Sequence, residues 1–269
     1  MGKIVSSHST SHILFSPQAA PDQAERIYQG MKELGELLVE KEPDVILMIA
    51  SEHMFNIDLS IQPPFCIGVS DHYTPLGDLG IPQREFRGYR EFAESLVGYT
   101  AEAGFDLAMA EGIAPDHGIT LPLTFVKPWG KIPLVPLYVN INMTPSPTPS
   151  RCLALANTLK RAIEEARPEH ERVAVIGSGG LSHWLNIPGA GEVSEQFDQK
   201  IIDLMVSGNG HQIAEMSTEE ILEQGGNGGL EVMNWMMAAA MVPGTRGRKV
   251  FYEPMTAWLT GMGGVVMDV

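Results

Sequence analysis

Cysteine is nearly missing from this 269-residue chain: only Cys66 and Cys152 are present, far apart and without a C-x-x-C spacing. That excludes a disulfide framework and a thiolate zinc knuckle, and two reduced, buried thiols in a cytoplasmic protein are expected instead. Positive charge is scarce, with Lys+Arg 18 against Asp+Glu 33 and a formal net charge of −15. No basic cluster offsets it, so neither nucleic acid nor an anionic membrane surface is an expected partner. The longest apolar run, Met236 to Val242, is far short of the ~20 residues a membrane helix needs. MGKIVSSHST at the start does not read as a secretory leader. The chain contains no G-x-x-x-x-G-K-[ST] and no G-x-S-x-G, and VAVIGSGGLSH (173–183) lacks the third glycine of a dinucleotide fingerprint. P-loop and serine-hydrolase chemistry are thereby disfavoured, and Gly177, Gly179 and Gly180 read better as points of close backbone approach.

At 44% hydrophobic, the chain can bury a proper core, and its length suits one domain spanning residues 1–269 at roughly 100–200 residues per domain. IVSSH (4–8), DVILMIASEH (44–53), CIGV (66–69), DLAMAEGI (106–113), PLVPLYVNI (133–141), VAVIGSGG (173–180) and KVFYEPM (249–255) read as strands. Between them, helical periods run over about 21–42, 84–103, 150–167, 194–208, 217–224 and 229–241, and the chain closes on an apolar, Gly-rich tail. Strands alternating with helices predict an α/β layered fold, with a central, mainly parallel or mixed sheet flanked by helices. In such folds ligands bind where loops converge at the C-terminal ends of strands.

Four of the eight histidines respect that rule: His12, His53, His117 and His183 each follow a predicted strand. Any one alone is more often a hydrogen-bonded structural residue, but four together point to a site. His170 and His211 lie in polar loops, His72 in a Pro/Gly/Asp-rich segment, and His8 inside the first strand. An extended chain puts His8 about 13 Å from His12, too far for one metal ion, so His8 reads as structural. An imidazole metal site with open positions also needs a carboxylate, and Asp44, Glu52, Asp71, Asp116 and Glu231 are the candidates. Glu231 opens the apolar helix LEVMNWMMAAAM, where it is either a ligand or a first-turn acid favoured by the helix dipole. Two histidines and a carboxylate suit non-haem Fe(II) oxygen chemistry, while additional histidines suit proton transfer near neutral pH. A zinc hydrolase needs fewer groups and stays open as an alternative, as does a non-catalytic binding protein on the same scaffold.

SSHSTSHI, SEHMFNID, DHGITLPL, GSGGLSHWL and GGLEVMNWMMAAAM occur in this order along the chain. Together they resemble the LigB family of class III extradiol ring-cleaving dioxygenases over about residues 4–264. Within it the motifs are most similar to the catalytic β subunits that cleave protocatechuate at the 4,5 bond. PPFCIGV and the tail are similar to the 2,3-dihydroxyphenylpropionate branch. The resemblance implies that His12, His53 and Glu231 bind Fe(II) and that His183 and His117 are catalytic. It implies a catecholic substrate, protocatechuate- or gallate-like or otherwise substituted, which O₂ converts to a ring-opened semialdehyde acid. Ser51 stands where the protocatechuate branch has Asn, a difference that bears on how the neighbouring ligand is oriented. A homo-oligomer is expected, dimer or higher, with a small α subunit as a further partner and the apolar surface of Trp235, Met236 and Met237 as an interface. Thr256 to Gly263 is where contacts to the substrate's substituent are expected.

Overall fold

A computed structural model describes residues 1–57 and 60–269, apart from the side chain of Asp268. Ten strands run β1 (Lys3–Thr10), β2 (Val45–Ser51), β3 (Phe65–Gly68), β4 (His72–Tyr73), β5 (Phe86–Arg87), β6 (Ala108–Ala110), β7 (Leu134–Val139), β8 (Arg172–Ser178), β9 (Gly247–Met255) and β10 (Thr260–Asp268). The helices are α1 (Pro21–Glu40), α2 (Arg90–Glu102), α3 (His117–Leu123), α4 (Pro149–Ala166), α5 (Glu195–Val206), α6 (Thr218–Gly225) and α7 (Val232–Ala240). Eight strands form one sheet in the order β6-β3-β7-β2-β8-β1-β10-β9, and β4 and β5 pair separately. The centre, β7-β2-β8-β1, is parallel, whereas β10 is antiparallel to β1 and β9, and β3 to β7. The mixed α/β sheet expected from the strand–helix alternation is therefore present.

Alternation along β2 shows why its sequence is apolar throughout. Val45, Leu47 and Ile49 face one core with α4, α5 and α7, while Ile46, Met48 and Ala50 face the other with α1 and α3. A strand covered on both faces has no solvent side to carry polar residues. α1 follows the same logic at helical period: Ile27, Met31, Leu34 and Leu38 are buried on its sheet-facing side. It starts at Pro21, whose fixed φ and missing N–H suit a first helical turn.

Four expectations from sequence need correction. The helical period over 84–103 begins only at Arg90, because Phe86–Arg87 pairs with His72–Tyr73. The strand over 106–113 is reduced to Ala108–Ala110, so His117, expected directly after a strand, opens α3 further along the chain. The Gly-rich tail is strand β10, whose Ser9↔Val265 and Thr10↔Gly264 pairings cover the edge of β1. Trp235, Met236 and Met237 are fully buried under the sheet and offer no apolar surface for a partner. Cys66 and Cys152 are buried free thiols, as anticipated.

Candidate metal centre

β2, β8 and β1 are adjacent, parallel and in register, as the pairings Ile49↔Gly177 and Ser9↔Gly177 show. Their C-terminal ends therefore emerge side by side, and His53, His183 and His12 lie on the segments that leave them. β1 leads to α1 on one face of the sheet and β8 to α5 on the other. Divergence of consecutive crossovers opens a crevice at that point.

α7 delivers the carboxylate. Trp235 Nε1 donates to Gly179 O at 3.1 Å, and Asn234 Nδ2 donates to Ser178 O at 2.8 Å and to Ser51 Oγ at 3.0 Å. These bonds clamp the first turn of α7 onto the ends of β8 and β2. The approach leaves no room for side chains: a Cβ on Gly179 would lie 2.6 Å from the Glu231 Cβ, and one on Gly228 would run into the His183 imidazole. The close-approach reading of the VAVIGSGG glycines thus has a physical basis in α7.

Glu231 is the hub. Its Oε1 lies 3.2 Å from His53 Nε2, and its Oε2 lies 3.5 Å from His12 Nε2 and 3.9 Å from His183 Nε2. The Gly180 N–H donates to Oε2 at 2.5 Å. Ligand atoms of His12, His53 and His117 also lie within 4.8 Å of one another. His117 stands against both, with ring centroids 4.3 Å from His53 and 5.1 Å from His12. The donor set can be read as three imidazoles or as two imidazoles and a carboxylate. Glu231 is buried and its carboxylate faces both His12 and His53, whereas His117 is half-buried and turns its Nδ1 to Asp78.

Each imidazole is oriented from behind. Ser178 Oγ donates to Gly118 O, so its lone pair accepts from His12 Nδ1 at 3.2 Å. Asp116 Oδ2 accepts from His53 Nδ1 at 3.0 Å, while Oδ1 accepts the Gly118 N–H at 3.0 Å and caps α3. Leu181 O accepts from His183 Nδ1 at 3.0 Å. With Nδ1 protonated in each, Nε2 is the atom turned towards Glu231, the arrangement that backing hydrogen bonds give to ligating histidines. His117 Nδ1 lies 2.6 Å from Asp78 Oδ2.

Charge within the cluster follows burial and neighbours. Burial holds the His12 imidazole down at about 3, against the pull of Glu231. Burial also acts to lower His53, but its hydrogen bonds to Asp116 and Glu231 outweigh that and raise it to about 10. Burial would raise the Glu231 carboxyl, yet the imidazoles of His12 and His53 hold it well below the usual carboxylate range. Without metal, the His53 imidazolium bridges the Asp116 and Glu231 carboxylates through its two ring N–H groups. A buried anion facing two Nε2 atoms is the chemistry of a divalent-cation site, and the residues present fit a metal of the type carried by two-histidine, one-carboxylate centres.

The remaining acidic candidates have other duties. Glu52 accepts the N–H groups of Met54, Phe55 and Asn56, Asp44 accepts from Arg172 N, and Asp71 lies on the surface beside Arg90. His8 is buried on the α1 side of the sheet, His72 pairs with Glu85 at the surface, and His170 and His211 are exposed. Sequence reasoning did not reach Asp78, Ser178 or Asp198. The last accepts from Ser182 N at 2.7 Å and from Tyr252 Oη at 2.9 Å, and burial raises its carboxyl to about 6. It thereby steadies the turn that carries His183. Ser178 lies in the alternation of β8, but its partner across the sheet end is not visible in the sequence; Asp78 has no signal beyond a turn-forming PLGDLG.

Fold and site together define an α/β protein with a candidate metal centre at the C-terminal ends of parallel strands. Residues 2–263 match the family model described as the catalytic LigB subunit of aromatic ring-opening dioxygenase, and the chain belongs to that family. It is 25% identical over 305 residues to a 2,3-dihydroxyphenylpropionate/2,3-dihydroxicinnamic acid 1,2-dioxygenase of Photorhabdus laumondii, covering 95% of both chains. Enzymes of the same description from Escherichia coli are 25% identical over 271 residues, covering 83% of this chain and 85% of theirs. Among solved structures, an uncharacterized protein, JW3007, from Escherichia coli K12 shares the fold, with a TM-score of 0.61 and 16% identity over 97% of this chain and all of that one.

Proposed function

We propose that residues 1–269 act as one catalytic unit, an Fe(II)-dependent extradiol dioxygenase that opens the ring of a substituted catechol to a semialdehyde acid. The observation that carries this reading is the Glu231 carboxylate in contact with His12 and His53 inside a chain of the LigB family. His12, His53 and Glu231 would hold the metal. When bound, Fe(II) supplies the Lewis acidity and one-electron chemistry that let a catecholate and O₂ react.

The chain's own residues manage protons and position. His183, with Nδ1 committed to Leu181 O, keeps Nε2 free to take a proton and return it. His117 stands across the cluster from it and accepts a hydrogen bond from a substrate hydroxyl. Gly228 keeps the space over His183 clear of a side chain. Both atoms of O₂ enter the product as the ring carbon–carbon bond beside the diol breaks, so no external reductant is consumed.

The substituent on the catechol is the less constrained part. Similarity to 2,3-dihydroxyphenylpropionate dioxygenases favours a catechol with a carbon side chain over protocatechuate or gallate, and Thr256 to Gly263 is the segment for its contacts. A homo-oligomer in the cytoplasm, with or without a small α subunit, belongs to the same reading; no helix among the described residues is long and apolar enough to cross a membrane.

An oxygen-electrode assay on protein loaded with Fe(II) under anaerobic conditions, then given O₂ and a panel of catechols, tests it. Uptake of one O₂ per catechol with a yellow product is expected, and product NMR must place the break outside the two hydroxyl-bearing carbons. Zinc in the purified protein together with hydrolase activity would favour the metallohydrolase instead, and metal binding without turnover of any catechol would favour a binding protein.

A further inference from the structure

Asp78 lies in the connection between β4 and β5, far from the strand ends that carry the other site residues. Its Oδ2 nevertheless accepts from two groups of one residue, the His117 ring Nδ1 at 2.6 Å and the His117 backbone N–H at 3.2 Å. Its Oδ1 is buried with no partner among the described residues. A shielded carboxylate oxygen without a partner is costly unless the bond made by its fellow oxygen is strong. The loop is built to hold it there. Leu76 N donates to Pro115 O at 2.9 Å, which ties the loop to the segment just before His117. Gln83 Nε2 donates back to Leu76 O at 2.8 Å, and Ile81 N to Asp78 O at 3.1 Å. Gly77, at φ 84, makes the left-handed turn that aims Asp78 inward, and Ile81 packs into the α1–α3 core with Leu121.

We propose that Asp78 is a positioning residue for ring opening: it keeps the His117 proton on Nδ1, so that Nε2 meets the substrate as a bare acceptor held in one orientation. The inference rests on the role of His117 in the function proposed above. In the other tautomer Nε2 carries the hydrogen, and a group that should accept a hydrogen bond from a substrate hydroxyl becomes a donor. The loop between β4 and β5 therefore contributes to the site through His117.

Asp78→Asn and Asp78→Glu, each alone and with His117→Gln, test this by steady-state kinetics on Fe(II)-loaded protein. Asp78→Asn should lower kcat about 10–100-fold, the range for partners that orient active-site histidines, with KM within about twofold and metal content unchanged. Asp78→Glu should recover part of the loss, and in the His117→Gln background Asp78→Asn should cost nothing further, because a group acting through His117 has nothing left to act on. Imidazole ¹⁵N NMR of the metal-free protein provides a readout independent of turnover: the wild type should show His117 protonated at Nδ1 and bare at Nε2, and Asp78→Asn should lose that preference. An unchanged tautomer in Asp78→Asn overturns the proposal, as does an equal loss of kcat in both backgrounds or loss of metal in place of kcat. Should the wild type open no catechol ring, the functional reading fails while the tautomer measurement still decides the role of Asp78.

Discussion

The two ends of the parallel strands handle charge in opposite ways. At the N-terminal end, permanent cations are held by fixed acceptors: the Arg167 guanidinium grips the Glu171 carboxylate through two bonds of 2.7 and 2.9 Å, and the Arg172 guanidinium bonds the carbonyls of Lys41 and Glu42 while its backbone N–H bonds Asp44 at 2.8 Å. At the C-terminal end, segments 11–20, 52–64, 111–117, 179–194 and 225–231 contain no Lys or Arg at all. The only groups there able to carry positive charge are imidazoles. A guanidinium beside Glu231 would neutralise it permanently, whereas an imidazole can give up its proton and leave the carboxylate to a metal ion. One end is built around fixed charge, while the other carries positive charge only on groups that can give up a proton.

The largest effects should come from breaking the exchangeable end. Glu231→Ala, His12→Ala and His53→Ala should each reduce metal content to background by elemental analysis, with activity lost alongside. His183→Ala should keep its metal and lose about 10²–10⁴-fold in kcat, the range for a missing proton-transfer group; a matching loss of metal would move His183 into the ligand set. At the other end, Arg167→Ala leaves Glu171 buried without its partner and should cost about 3 kcal/mol in denaturant unfolding, while metal bound per folded molecule stays the same.

A pH experiment sharpens the contrast. In the metal-free protein His53 is raised to about 10, so the stability it contributes is complete below its unfolded value and fades as pH rises through the folded one. Thermal unfolding of the apoprotein should therefore weaken between about pH 6.5 and about 10. Metal binding at neutral pH should release about one proton, detectable as a buffer-dependent heat, because ligating imidazoles must be neutral. The smallest effect belongs to the exposed Lys32–Glu36 pair on α1, at 3.7 Å: Lys32→Ala should change stability by less than about 0.5 kcal/mol.

Much of this was legible in the chain. β2 and β8 announce themselves because a strand buried on both faces must be apolar throughout, and α1 because its apolar spacing matches one helical face. His12, His53 and His183 could be singled out for following strands, a rule that reflects where crevices form in parallel sheets. Composition and spacing left Glu231 as one of five acids; the family resemblance singled it out, and contacts across the fold show how it reaches the histidines. Glu52 is next to His53 in sequence but turns back onto its own loop, while Glu231 reaches His53 from the start of α7. β10 read as a tail because its glycines weaken a strand pattern, and pairing with β9 on one side and with β1, more than 250 positions earlier, on the other makes it a strand.

What the sequence by itself determined is therefore the local chemistry and its rhythm: alternating strands and helices, imidazoles after strands, glycines where a backbone must come close, and loops free of permanent cations around the site. The tertiary structure alone decided which strands lie side by side, how Glu231 meets the histidines, and that Asp78 stands behind His117. Period and composition act over a few neighbouring residues, whereas a metal centre and its supporting hydrogen bonds are made between segments tens to hundreds of positions apart, and nothing local in the chain encodes their distance.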